Sequence, residues 1–258
     1  DMDAEAALLV GMRPGHSISG LRGAPFTPLR GVFPRAASSD LRAPLFCGRS
    51  PRELQPAVLR VIKERGLYLS SERELLRREI TPARYRHSLS VASLAAELAP
   101  AAGLPAQLAA FAGLVHDCAR DMAPAALVSY ALRRAPRTPM LRTLIKEAPV
   151  LLHAWAGAAR AAELFGPLTP EIREAVELHA TGAPGMGPLA RLIYTCDLAC
   201  PGRDFPQAAM VRELARRDLD AAFRAANYVK LVYAFSGGGW VHPLSVELWN
   251  SLQEKKKG

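Results

Sequence analysis

The chain has 258 residues, half of them hydrophobic, with 33 Lys and Arg against 24 Asp and Glu for a formal net charge of +9. That length and apolar content are enough to bury a sizeable core as one large or two modest soluble domains, and no run approaches the roughly 18 apolar residues of a membrane span. No secretory signal opens the chain, so a cytoplasmic location without membrane contact is expected.

In chain order, the first 50 residues are rich in Gly, Pro and Arg and lack sustained periodicity. From about residue 71 the chain reads as successive amphipathic helices. The boundary is placed between Gly66 and Ser71, which divides the chain into residues 1–70 and 71–258. Thr81-Pro82 joins an N-cap to proline at the first helical position, and Gly103 with Pro105 separates that helix from the next. Further helices are read at 124–134, 149–165, 187–200, 207–235 with a break near Asp218, and 243–253. Thr169-Pro170-Glu171 repeats the start signal. No alternating strand pattern follows residue 70, so the fold class is all-α, a helical bundle.

Helical spacing puts ionisable groups on the apolar faces. In the helix from Pro82, His87 heads a stripe of Val91, Leu94, Ala95 and Leu98. In the next, His116 sits one turn beyond Ala112 on the stripe of Leu108, Phe111, Val115 and Ala119, and Asp117 lies at the helix end. His153 aligns with Gly157, Ala161 and Leu164; His179 with Ile172, Ala175 and Val176; Asp197 with Leu189, Ala190 and Ile193. Four imidazoles and two carboxylates from five helices are thus aimed at a common core. An unpaired buried carboxylate costs several kcal/mol, and no lysine lies on these stripes to neutralise one. A divalent cation does so, and this set can fill one or two metal sites with positions left open for water and substrate. His16 and His242 lie in loops flanked by Gly and Pro, where surface roles suffice. Cys47, Cys118, Cys196 and Cys200 have neither the density nor the spacing of a disulfide framework or zinc ribbon and read as reduced thiols, Cys196 and Cys200 as buried neutral ones.

The ordered segments "RYRHSLSVASLAAELA", "AGLVHDCARD", "LLHAWAGA", "LHATG" and "CDLACPGRDFP", over about residues 72–253, resemble the HD phosphohydrolase superfamily and, within it, the bacterial symmetrical diadenosine-tetraphosphate hydrolases of the YqeK family. The resemblance implies an HD-domain helical bundle with a metal centre, typically two iron ions, that cleaves a dinucleoside tetraphosphate into two nucleoside diphosphates. By position, His87, His116, Asp117 and Asp197 would hold one ion and His153 and His179 the second, with Asp117 bridging. Manganese, cobalt or zinc would suit the same donors. Arg84, Arg120 and Arg203 lie near ligands in sequence and could hold phosphate oxygens. Thr181 and Gly182 could offer a hydroxyl and a close-approaching backbone N–H. Asp121 could orient water. The chain departs from the family pattern at Cys200, where glutamate is usual, at Arg120, where lysine is usual, and at Cys196, a small-residue position.

"MRPGHS", "AASSDLRA" and "VIKERGLY" resemble the closing third of bacterial nicotinate-nucleotide adenylyltransferases, whose Ser-rich motif opens a phosphate-binding helix; here Ala37, Ser38, Ser39, Leu41 and Arg42 match it imperfectly. Residues 1–70 are therefore expected to be the remnant of an α/β nucleotidyltransferase, in a fragment of a longer fusion, lacking the parent β-sheet and adenylyltransferase activity. Three further functions stay open: hydrolysis of another nucleotide, silent nucleotide binding for a fused synthetase, and nucleic-acid binding. The last rests only on a basic excess of 27 Arg and 6 Lys, which suits any polyanion and comes without an aromatic-interleaved patch. The Lys255 to Lys257 run reads as a solvated tail, and a homodimer is also left open.

Overall fold

The computed structural model describes residues 8–11, 26–29, 31, 38–134 and 138–254. Two short strands come first, β1 (Leu8–Gly11) and β2 (Phe26–Leu29), followed by α1 (Ser38–Phe46), α2 (Pro56–Glu64) and α3 (Ser70–Glu79). The body of the bundle is α4 (Pro82–Leu98), α5 (Ala106–Val115), α6 (Pro124–Arg134), α7 (Pro139–Glu147), α8 (Leu152–Phe165), α9 (Pro170–Leu178), α10 (Pro188–Ala199), α11 (Pro206–Ala215), α12 (Leu219–Ser236) and α13 (Pro243–Glu254). The all-α expectation holds, and the only sheet among the described residues is the two-stranded β1–β2 pair. Among these residues no helix is long and apolar enough to cross a membrane.

The helix starts follow local chemistry. Thr81, Thr138 and Thr169 each precede a proline and accept the N–H of the residue three positions on, and Asp218 does the same for Ala221 at the expected break. This satisfies one of the donors that every helix start leaves free. The helix α7 was not anticipated, although Thr138-Pro139 carries the same start signal as Thr81-Pro82. The aperiodic reading of the first 50 residues is also corrected. β1 and β2 pair in parallel, Leu8 opposite Phe26 and Gly11 opposite Leu29, and α1 packs against α4. Within the motifs singled out there, "MRPGHS" with His16, and Ala37, lie outside the described residues, and α1 opens at Ser38 and Ser39.

The core has two parts. The larger joins α3, α4, α5, α8, α9, α10, α11, α12 and α13 around fully buried Leu76, Val91, Leu114, Ile193 and Tyr194. The smaller lies between α6, α7 and α8 around Leu141, Leu144 and Leu152. Small residues let α4 and α5 cross closely: a Cβ on Gly113 would stand 2.9 Å from the Cα of Ala92. That close crossing brings His87 and His116 to 5.2 Å between ring centroids.

Candidate metal centre

The six expected donors do meet. His87 is interior to α4, His153 is the second residue of α8, and Asp197 lies in α10; His116 and His179 stand at the C-caps of α5 and α9, with Asp117 in the turn beyond. Gly182 lets the chain turn after His179. Its φ is +65° and a Cβ there would sit 2.5 Å from Leu248, so only glycine fits.

Three of the imidazoles are oriented by their own backbone. The Nδ1 of His116 lies 2.8 Å from the Gly113 carbonyl, that of His179 lies 2.7 Å from the Val176 carbonyl, and that of His153 meets the Val150 carbonyl. A carbonyl can only accept, so each Nδ1 carries the proton and each Nε2 presents a lone pair.

Those Nε2 atoms converge on Asp117. Its Oδ1 lies 3.2 Å from His153 Nε2 and 3.3 Å from His179 Nε2, whereas its Oδ2 lies 3.5 Å from His116 Nε2 and 3.8 Å from His87 Nε2. One carboxylate therefore faces two separate pairs of imidazoles. Asp197 Oδ1 adds a second oxygen to one pair, 3.1 Å from His87 and 3.7 Å from His116. The donor atoms of His87, His116 and Asp117 lie within 4.8 Å of one another, as do those of Asp117, His153 and His179.

Two local features fit these donors to a divalent metal. The Nε2 atoms of His153 and His179 face each other at 3.0 Å, both with lone pairs, a repulsive contact unless a cation is shared. His116 Nε2 is fully buried with no hydrogen-bond partner, a costly arrangement for an atom without a ligand. Mixed imidazole and carboxylate donors suit zinc, iron, manganese or cobalt.

Burial opposes the charge on Asp117, yet His116, His153 and His179 hold its carboxyl well below the usual range. Burial likewise opposes the charge on Asp197, which Lys230, His116 and His87 hold well below the usual range. Among the imidazoles, burial lowers His87 and takes His179 down to about 4, more than their carboxylate neighbours offset. For His116 burial is outweighed by Asp117 and Asp197, and its pKa rises. Three cations surround the carboxylates. Arg84 Nη1 donates to Asp117 Oδ2 at 2.6 Å, and Arg203 Nη2 donates to Asp197 Oδ1 at 2.8 Å. Lys230 Nζ donates to Asp197 Oδ2 at 3.1 Å and to the His179 carbonyl at 2.7 Å, and lies 3.9 Å from the centroid of the Tyr194 ring.

No lysine lies on the donor stripes, as expected, but Lys230 reaches the centre from α12, a helix that carries none of the six donors. It extends the inward stripe of Phe223, Ala226 and Asn227 on α12, a helix whose distance in sequence hid the contact. Arg84 and Arg203 stand beside the carboxylates of Asp117 and Asp197. Arg120 is half-buried in the turn after Asp117, donates its backbone N–H to the Asp117 carbonyl, and makes no side-chain bond to the centre among the described residues. Both oxygens of Asp121 are engaged: Oδ2 accepts from the Thr81 N–H at 2.9 Å and hydroxyl at 2.7 Å, and Oδ1 lies 3.5 Å from Arg84 Nε. It anchors the start of α4 rather than reaching the donors. The Gly182 N–H is bonded to the Leu178 carbonyl at 2.7 Å, so the donor role expected of it is corrected to one of chain reversal. Thr181 is buried and its hydroxyl has no partner, while its carbonyl accepts from Ser245 at 2.7 Å. His242 is 3% exposed, not a surface residue; its Nδ1 accepts the Leu244 N–H at the start of α13. All four cysteines are free and buried, and burial pushes the Cys200 thiol up to about 11.

Comparison with known proteins bears on this arrangement. The chain is similar to the symmetrical bis(5'-nucleosyl)-tetraphosphatase of Halalkalibacterium halodurans, with 28% identity over 194 residues, 71% of this chain and 96% of that protein. It is similar to the Bacillus subtilis protein of the same name, with 33% identity over 147 residues, 57% of this chain and 77% of that one. A crystal structure of a predicted HD superfamily hydrolase involved in NAD metabolism from Clostridium acetobutylicum superposes with a TM-score of 0.67 at 28% identity, covering 72% of this chain and 97% of that one. The HD domain family matches residues 84–222, a span that contains Arg84 and all six donors. This chain belongs to the HD domain family.

Proposed function

We propose that this protein is a metal-dependent phosphohydrolase that cleaves diadenosine tetraphosphate symmetrically, one water adding across the central P–O–P link to give two ADP. The observation that carries the reading is the division of Asp117, with Oδ1 toward His153 and His179 and Oδ2 toward His87 and His116. It supports two ions, one per pair, with Asp197 completing the His87 side; iron is the metal that the family resemblance implies. The names of the relatives support the substrate. Bound divalent ions would supply charge at the phosphoryl oxygens and acidify water.

The chain's own residues do the rest. Asp117 and Asp197 stay ionised despite burial and hold the imidazoles facing inward. Arg84 and Arg203, with side chains 24% and 37% exposed, stand at the open side, where a guanidinium can turn from carboxylate to phosphate and hold it through two parallel bonds. Lys230, less exposed, stays on Asp197. Arg84, Arg203 and Lys230 offset the charges of Asp117, Asp197 and Asp121, so the charge that draws a polyanionic substrate would come from bound divalent ions.

The test is incubation of the protein with Fe(II) or Mn(II) and diadenosine tetraphosphate, with products resolved by chromatography. ADP as the sole product is expected; AMP plus ATP would overturn the symmetrical assignment, and no turnover in metal-loaded protein would favour a binding module. We read residues 1–70 as the remnant of an adenylyltransferase preceding the HD domain of residues 71–258. The parallel pairing of β1 with β2 ahead of α1 supports an α/β origin.

A further inference from the structure

One of the four facing imidazoles is held differently from the rest. His116, His153 and His179 each meet a backbone carbonyl through Nδ1. His87 lies inside α4, where carbonyls are taken by the N–H four residues on, and its Nδ1 instead meets the sulfur of Cys200 at 3.5 Å. Cys200 is fully buried at the end of α10. Its sulfur also lies 3.8 Å from the Asp197 carbonyl, a second acceptor toward which the S–H can turn.

The chemistry of the two kinds of partner differs. A carbonyl fixes the proton on Nδ1 and leaves Nε2 bare. A thiol both donates and accepts. With its S–H on the Asp197 carbonyl, it accepts from His87 Nδ1–H, and Nε2 is free to ligate. With its S–H on Nδ1, the ring proton moves to Nε2, which then donates to Asp197 Oδ1 at 3.1 Å. That second arrangement gives the S–H, Nδ1 and Nε2–H of this pair a partner each without a metal, although it sets Nε2–H against the donor Arg203 Nη2 at 3.4 Å, and it competes with ligation.

We propose that Cys200 is the positioning residue for His87, and that its two-way hydrogen bonding makes the His87 half of the centre the weaker of the two for metal. The proposal rests on the metal-centre reading above and concerns how that centre is loaded.

The first test is made on the full 258-residue protein, stripped of metal and labelled with 15N in its histidine rings, by long-range 1H–15N correlation. His116, His153 and His179 should each show protonated Nδ1 and bare Nε2. His87 should show protonated Nε2 or an average of the two forms, and Cys200→Ala should move its resonances alone among the four. A wild-type His87 with the same pattern as the other three, or one unmoved by the substitution, would overturn the proposal. The second test is Mn(II) titration by calorimetry. Two binding events are expected, with Cys200→Ala weakening only the weaker one, by about 10- to 100-fold as for other residues that orient a ligand from behind. Cys200→Ser, which keeps a rotating donor and acceptor, should restore it to within a few-fold. Equal weakening of both events, or none, would show that Cys200 only packs. Absence of any Mn(II) binding in the wild type would sink the centre itself, and is thereby distinct from failure of the Cys200 role alone.

Discussion

The two sides of the candidate centre are built by different means. On the side of α5, α8 and α9, the three imidazoles are oriented by carbonyls three residues back in their own segments, so the chain that supplies each ligand also sets its tautomer. On the side of α4, α10 and α12, His87 and Asp197 are held by side chains: Cys200 behind the imidazole, Arg203 and Lys230 on the carboxylate. The first arrangement is local and persists wherever those helix ends form. The second exists only once distant helices have packed, and it includes a half-buried lysine that costs stability unless its carboxylate stays in place.

Breaking the residue shared by both sides should have the largest effect. Asp117→Asn should bring metal content to background and lower kcat by roughly 10³-fold or more, the upper range for loss of one electrostatic group in an active site; metal analysis alongside the hydrolysis assay checks both. Retention of one full equivalent of metal would show that one imidazole pair loads independently of Asp117.

Next comes the side held by remote contacts. Lys230→Met leaves Asp197 buried with one cation fewer and should cost about 3 kcal/mol in urea unfolding of the metal-free protein, the scale for breaking a buried pair. Added Mn(II) should shrink that difference by supplying the missing charge, and equal losses with and without Mn(II) would deny that Lys230 acts through Asp197.

A smaller loss is expected where packing alone brings the sides together. Gly113→Ala puts a Cβ 2.9 Å from the Cα of Ala92, and overpacking of this kind costs about 1–3 kcal/mol. Thermal unfolding should fall accordingly, and metal affinity should fall with it, because His116 moves with α5.

The locally built side is tested through pH, with only the slope of stability read. His179 has its pKa lowered by burial from 6.5 to about 4. Between those values the unfolded chain binds the proton and the folded one does not, so stability from this residue falls as the solution is acidified through that window. His179→Gln should flatten the fall in melting temperature of the metal-free protein between these pH values, and an unchanged slope would mean that His179 is not the buried neutral group.

Much of this was legible beforehand because it repeats at helical spacing. Thr81-Pro82 and Thr169-Pro170 mark helix starts through one side chain and one ring. His87, His153 and Asp197 announce their direction by the alanines, valines and leucines with which they share a face. The α7 helix was missed although Thr138-Pro139 carried the same signal, and the β1–β2 pair was missed because four-residue strands are too short to show alternation. Lys230 was missed for a different reason: it sits on an apolar stripe, but its partner Asp197 is on another helix 33 residues away. His242 was assigned to the surface from the Gly and Pro that flank its loop, yet it is buried.

The sequence by itself determined the helices, their starts and the inward direction of four imidazoles and two carboxylates, because these follow from backbone sterics, capping and a period of 3.6 residues. Only the tertiary structure decided that Asp117 divides its oxygens between two imidazole pairs, that Asp121 and Gly182 are occupied in holding the chain, and that Lys230 and Cys200 stand behind Asp197 and His87. Those contacts depend on how closely helices cross, a distance set by small residues such as Gly113 and Ala92 acting together across the core.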